Sequence, residues 1–512
     1  MLPVRTVVVV GGGTAGFLAA AALRRRLPDL PVRVIRSRDI GVIGVGEGST
    51  PALTDFLHGY LTIDPARFFA EVRPTWKLGL DFLWGPRPRF QYTFAAQMDA
   101  RIPPLSRPIG WYCDGPGDLS DWDPYTALMA ADRAFWRRPD GRPAVHRNLS
   151  YHFENERFVS FLEAFARELG ADVVDDTVAE VTRGDAGVTG LRLASGRTER
   201  ADLYVDASGF ASLLLGKALA TPFESYRSSL YCDRAVVGGW DRDAADPADA
   251  VIRPYTTCET MAAGWCWRIE HEHRVNRGYV YCPSFVSDEE AEREFRAANP
   301  RVGPTRVVRF TSGRYRDGWA KNVVAVGNAS GFVEPLEATA LGVIAMQARL
   351  VAGSLIDADR EVRPTQVAQF NRHHRRLWDN VRGFLAVHYR FNRRLDTPFW
   401  RECREHVDLA DAAEVVDHFH ENGPSNFWSP TLLDAYEPFK YGGYATLLVG
   451  MNVPYRRTGA APQGDWDALG RWRRRNRQIA EAAVTVREAL DAVAAPGWRW
   501  DEWSTGHEVY GR

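Results

Sequence analysis

An α/β fold built around a parallel sheet is predicted by three features of the sequence. A β-branched run, Arg5 to Val10, leads directly into Gly11-Gly12-Gly13-Thr14-Ala15-Gly16, and an Ala- and Leu-rich stretch from Phe17 to Leu27 follows. Pro31 to Ile35 then reads as a second strand, and strand–turn–helix–strand is the setting in which G-x-G-x-x-G binds a dinucleotide. Two later apolar runs, Ala201–Asp206 and Asn322–Val326, end in small-residue turns and extend the same sheet.

Each element has a local cause. The first glycine permits a tight turn, the second a close approach of backbone to pyrophosphate, and the third close helix–strand packing. The loop after Val326 runs Gly327-Asn328-Ala329-Ser330-Gly331-Phe332-Val333-Glu334-Pro335-Leu336-Glu337-Ala338-Thr339-Ala340-Leu341-Gly342 and leads into a helix expected near Val343. A helix start of this kind presents unsatisfied N–H groups and the positive dipole end to electron-rich groups. Its two glutamates and Pro335 are more than an ordinary phosphate loop needs.

Composition narrows the function classes. The 512 residues are 45% hydrophobic with a formal net charge of −1, enough for one large core or two to three modules. Near-neutral charge argues against nucleic acid and against an anionic membrane surface. The basic run Arg471–Arg477 reads as a solvated helix face. Basic residues are almost all arginine: the lysines are Lys77, Lys217, Lys321 and Lys440. Six cysteines without a C-x-x-C pair read as reduced thiols. Val7 to Leu23 lacks a signal-peptide pattern, and no other stretch approaches the length of a membrane span. The expectation is a cytoplasmic protein.

The second strand ends in Arg36, where an acid would hold the ribose hydroxyls; Arg36 stacks on adenine, meets phosphate or faces solvent. Segments 75–147 and 225–304 read as insertions, and from about Pro364 the chain turns to Arg-rich helices around an aromatic loop, Asn426 to Tyr444. The predicted organisation is a module over 1–355 carrying both insertions, then a helical module over 356–512 covering the substrate side.

Four motifs occur in one order: Gly11-x-Gly13-x-x-Gly16, Gly44-Val45-Gly46-Glu47-Gly48-Ser49-Thr50-Pro51, Thr75-Trp76-Lys77-Leu78-Gly79 and Phe332-Val333-Glu334-Pro335-Leu336-Glu337. Together they resemble the flavin-dependent tryptophan halogenase family, over nearly the whole chain and including Asn392–Trp400. The resemblance implies a glutathione-reductase-like FAD-binding fold. It also implies an enzyme that uses FADH2, oxygen and chloride or bromide to halogenate an electron-rich indole or phenol. Hypohalous acid made at the flavin would travel through an internal tunnel to a lysine, here Lys77, with Glu337 beside the arene. An ammonium can present electrophilic halogen, and a carboxylate can steady the cationic ring or take its proton. The alternatives are a surface lysine on a short helix and a glutamate that caps the next helix.

By the same resemblance, the FAD contacts are Gly11, Gly13, Thr14, Ala15, Gly16, Arg36, Gly46, Glu47, Ser49, Thr50, Pro51, Val178, Gly327, Asn328 and Leu341. Thr339 and Ala340 correspond to the halide site, and Trp265, Trp267 and Ile269 to a substrate-side signature. Two departures stand out. Ala338 and Ala340 replace the family's Ser and Gly, and Glu270 replaces the proline of Trp-x-Trp-x-Ile-Pro. A Gly-to-Ala change is tolerated where φ stays negative and strained where it does not. The signature is expected to keep organic substrate off the oxygen-activating flavin; a plain strand with alternating aromatics is the other reading.

His271-Glu272-His273 shows no third ligand, so no metal is expected, and His373-His374 read as surface residues. With no second nucleotide-binding unit, FADH2 should come from a separate NAD(P)H-dependent flavin reductase. The remaining partners are a small aromatic substrate and, where the enzyme self-associates, a second copy in a homodimer; nucleic acid and membrane are not among them. A single-component FAD monooxygenase or oxidase on this scaffold is the alternative activity.

Overall fold

The computed structural model describes residues 3–500 except 42–45, 95–97, 114, 116, 147–148, 244, 435–436 and 458; Gly44 and Val45 of the second motif therefore lie outside the described residues. The chain divides into two compact units, each assembled from three stretches. The first holds residues up to 63, 153–226 and 310–378; the second holds 64–152, 227–309 and 379 onward.

The first unit is built on a parallel sheet, as expected. We label its elements β1 (Val7–Val10), α1 (Thr14–Arg26), β2 (Val32–Arg36), α2 (Asn155–Glu168), β3 (Asp172–Asp175), β4 (Leu203–Asp206), β5 (Val323–Ala325) and α3 (Ala340–Asp357). The strand order is β5-β4-β1-β2-β3, parallel throughout, with Trp319–Ala320 antiparallel on the β5 edge. All four valines of β1 are buried, which is why the run reads as continuous apolar sequence rather than alternation. Helix α1 buries Gly16 to Leu23 and packs against α2 and α3.

Helix α3 corrects two expectations. It begins at Ala340 rather than near Val343, and it takes in Gly342, where a Cβ would stand 3.0 Å from Thr50 Oγ1. It is also long and apolar enough, by length and composition, to cross a membrane. Half of this helix is buried inside the protein, including Leu341, Ile344, Ala348, Val351 and Leu355. These side chains are core of the sheet layer, each fully buried Leu or Ile worth about 1.5–3 kcal/mol.

The second unit carries a seven-stranded sheet in the order 306–309, 234–241, 274–281, 264–270, 255–261, 79–83 and 90–93. Beside it the short strand Thr75–Lys77 pairs antiparallel with Ser150–Phe153. Helices fill much of the C-terminal part, among them Pro398–His406, Ala412–Asn422, Lys440–Gly450 and Gln463–Glu481. The run 471–477 is not wholly solvated: the buried Asp121 carboxylate accepts from Arg473 Nε at 2.6 Å and pairs with Arg477. Trp472 Nε1 donates to Trp122 O, and Asn476 Nδ2 to Asp121 O. The helix is therefore docked by its basic face onto one turn.

Candidate active site

The first unit holds the nucleotide-type loops. Gly11 sits at φ +127°, and a Cβ on it would stand 2.1 Å from Ala207 O; one on Gly16 would stand 2.0 Å from Gly11 O. Gly13 differs, with nothing within 4 Å of its Cβ position. It is the N-cap of α1, has no side chain to cap the helix, and no acid lies in the first turn. Thr14 Oγ1 is engaged with Asn155 Oδ1 at 3.1 Å. The open Gly13 and the uncapped helix start suit a pyrophosphate, so these residues fit an ADP-bearing cofactor.

Arg36, at the end of β2, is mostly buried and pairs with Glu163 of α2 at 3.2 Å, so it does not simply face solvent. Among the described residues its buried Nε finds no hydrogen-bond partner, which leaves a donor for an adenosine group. Val178 begins the strand Val178–Gly184 and pairs with Leu193.

Gly46 has φ +81°, and the loop continues through Glu47 and the buried Ser49 into a short helix opened by Thr50 and Pro51. Burial pushes the Glu47 carboxyl up to about 7. Gly327, at φ +61°, donates its N–H to Gln347 Oε1 at 2.7 Å; a Cβ on it would stand 2.9 Å from Ala15 Cβ. The Gly327–Asn328 turn and the Gly11–Gly16 loop are thus in contact, and Thr50 approaches the first turn of α3. The fold brings three of the sequence-predicted loops together.

The proline-containing loop ends in two nearly buried groups, Glu337 (2% exposed) and Thr339 (6%). Thr339 is the N-cap of α3, and its own side chain makes no capping hydrogen bond. Ala340 opens α3 and Leu341 is buried behind it; right-handed helix suits alanine at 340. The strained position is Ala338, at φ +54°.

Lys77 belongs to the second unit. Asp64 caps the helix Pro65–Val72, accepting from Ala66 N and Arg67 N, and Arg73 ends it in the left-handed region just before Pro74. The chain then enters the strand Thr75–Lys77, where Lys77 lies opposite Ser150 and is fully buried. This excludes the surface-helix reading. Its Nζ lies 5.5 Å from the Phe94 ring centroid. His152, opposite Thr75, contacts Thr256 Oγ1 at 2.8 Å through Nε2. Burial, and then the charges of Lys77 and His271, hold its imidazole well below the ordinary histidine range. A fully buried lysine head group costs several kcal/mol unless its surroundings compensate.

A family model described as tryptophan halogenase matches residues 6–462. The chain belongs to the tryptophan halogenase family. It is 30% identical to tryptophan 7-halogenase RebH of Lentzea aerocolonigenes, over 94% of this chain and 98% of that one. It is 34% identical to tryptophan 6-halogenase ThaL of Streptomyces albogriseolus over 83% of each. Among solved structures, MibH, a lanthipeptide tryptophan 5-halogenase, matches with TM-score 0.87 at 38% identity, covering 96% of this chain and 94% of that one. BrvH, a flavin-dependent halogenase from Brevundimonas sp. BAL3, matches with TM-score 0.82 at 26% identity, covering 96% and 99%.

The signature strand of this tryptophan halogenase family member is buried on both faces. Trp265, Cys266, Trp267 and Ile269 are all core, with the two indole centroids 5.9 Å apart. Glu270 completes the strand opposite Val275, and its fully buried carboxylate meets Arg242, Arg253 and Arg268. Sequence reasoning marked Glu270 as a departure but missed its partners, which lie up to 28 residues away. His271 is buried beside Asn276 and His273 is half-exposed beside Glu272. The expectation for His373-His374 is corrected at His374, which is buried against Tyr315 O at 2.9 Å.

Proposed function

We propose that this chain is a flavin-dependent halogenase that places chloride or bromide on the indole of a tryptophan. The observation that carries the reading is the full burial of Lys77 inside the family's Thr-Trp-Lys-Leu-Gly motif. Bound FAD, reduced beforehand, supplies the oxygen activation that turns halide into an electrophile. Gly11 to Gly16, Arg36, Val178, Gly46 to Pro51, Gly327, Asn328 and Leu341 are the residues that would hold it, and Thr339 and Ala340 would hold the halide. Lys77 presents the electrophilic halogen to the ring through its amine. Glu337 stabilises the cationic arene and accepts the displaced proton. The chain's single Gly-x-Gly-x-x-Gly unit supports a separate flavin reductase as the source of FADH2.

Tryptophan within a peptide is the form favoured here, because identity to the lanthipeptide enzyme reaches 38%. Mass spectrometry decides the question with reduced FAD, oxygen and bromide, offered free tryptophan, a tryptophan-containing peptide and simple phenols. A product carrying bromine's isotope doublet on the peptide's indole is expected. Oxygenated product without bromine would instead identify a monooxygenase.

A further inference from the structure

The strand that carries Lys77 is tied to its surroundings on both sides of the lysine. Before it, Thr75 Oγ1 donates a 2.6 Å hydrogen bond to Glu270 O. After it, Leu78 N donates to Pro254 O at 2.7 Å, continuing the parallel ladder between strands 79–83 and 255–261. The two acceptors sit on different stretches of chain. Strands 255–261 and 264–270 already pair antiparallel, and the Glu270 side chain adds a second link beyond the end of that ladder: Oε1 accepts from Arg253 Nη1 at 3.0 Å and from Arg268 Nε at 2.7 Å, and Oε2 pairs with Arg242. Arg242 in turn donates Nη1 to Asp249 O at 3.0 Å and to Val251 O at 2.9 Å, and Nε to His271 O at 2.9 Å. One buried carboxylate thereby fixes the segment 249–254 to the end of strand 264–270, and both ends of the lysine strand hang from that junction.

Such a device has a physical cost that packing alone does not explain. A buried carboxylate among guanidinium groups contributes little net stability compared with apolar residues of similar size, yet removing one member leaves uncompensated buried charge. What it supplies is geometry, because planar guanidinium forks fix direction as well as distance.

We infer that Glu270 is a positioning residue for Lys77, its carboxylate and Arg253 closing a bracket that sets where the amine sits. The inference rests on Lys77 carrying the halogen. A misplaced amine would leave halide oxidation intact and lower only the transfer to substrate, where about 1 Å of displacement can cost up to 100-fold.

The test compares Arg253→Met, Arg253→Lys, Glu270→Gln and Lys77→Ala with the unaltered enzyme. The readouts are substrate KM, kcat for brominated product, FADH2 oxidation rate, FAD affinity and melting temperature. Arg253 is about one-third exposed and its removal leaves Glu270 paired with Arg242 and Arg268, so Arg253→Met is expected to keep the fold even where Glu270→Gln does not. Arg253→Met is expected to lower kcat about tenfold or more with KM and FADH2 oxidation unchanged, so less of the oxidised flavin ends in product. Arg253→Lys, which restores the charge, should recover much of that loss. Unchanged coupling in a folded Arg253→Met enzyme overturns the inference, as does a loss that tracks weakened FAD binding or a lowered melting temperature. Bromination by Lys77→Ala would remove the lysine assignment and the bracket with it. Loss in Lys77→Ala with normal coupling in Arg253→Met removes the bracket alone.

Discussion

Gly327 packs on Ala15 so closely that a Cβ added to Gly327 would stand 2.9 Å from Ala15 Cβ. The turn after β5 and the loop after β1 therefore share one surface, and glycine at 327 meets two demands at once, close approach and φ +61°. Gly327→Ala should destabilise the first unit by about 1–2 kcal/mol from backbone strain alone. It should also weaken FAD binding, since the two loops must separate. Thermal melts and flavin-fluorescence titration check both effects.

Arg36 replaces the acid expected at the end of β2, and among the described residues its buried Nε has no hydrogen-bond partner. If that donor serves the adenosine half of FAD, Arg36→Met lowers FAD affinity about tenfold, the order of one lost charge-assisted hydrogen bond. FMN, which lacks the adenosine, should bind both proteins equally. Titrations with the two flavins separate this from general damage.

Glu337 is 2% exposed and stands two residues before the N-cap of α3. Glu337→Gln keeps the size and removes the base, so bromination should fall about 100-fold or more, within the range for general-base loss. FADH2 oxidation measured alongside should be unaffected.

His271 is buried, and burial, with the charges of Arg242 and Arg274 behind it, pushes its imidazole down to about 3. Below pH 6.5 the unfolded chain takes up a proton that the folded chain refuses. The folded state then loses stability as pH falls from 6.5 towards 3, by about 1.4 kcal/mol per pH unit for this group. Buried carboxylates such as Asp123, raised to about 6, act in the opposite direction over the acid range. The difference between wild type and His271→Gln isolates the histidine. The variant should lose less stability between pH 6.5 and 5 in urea titrations.

The sequence made the parallel sheet legible because each of its signals is local: β-branched runs, a glycine spacing and an alanine-rich helix within about 30 residues of one another. Lys77 was legible from its motif, but its burial was not, because the strand partner Ser150 lies far along the chain. Glu270 shows the limit most plainly. Its substitution for proline is visible in the sequence, whereas the arginines that make a buried carboxylate tolerable come from three separate positions. The left-handed Ala338 was likewise not legible, since alanine carries no signal for that conformation.

The assignment of Lys77 as the halogen-carrying residue is tested most directly by giving wild type and Lys77→Ala reduced FAD, oxygen, bromide and a tryptophan-containing peptide. Brominated peptide should appear only with wild type, while both proteins oxidise FADH2 at the same rate. A Lys77→Ala protein that brominates the peptide at the wild-type rate would contradict the assignment.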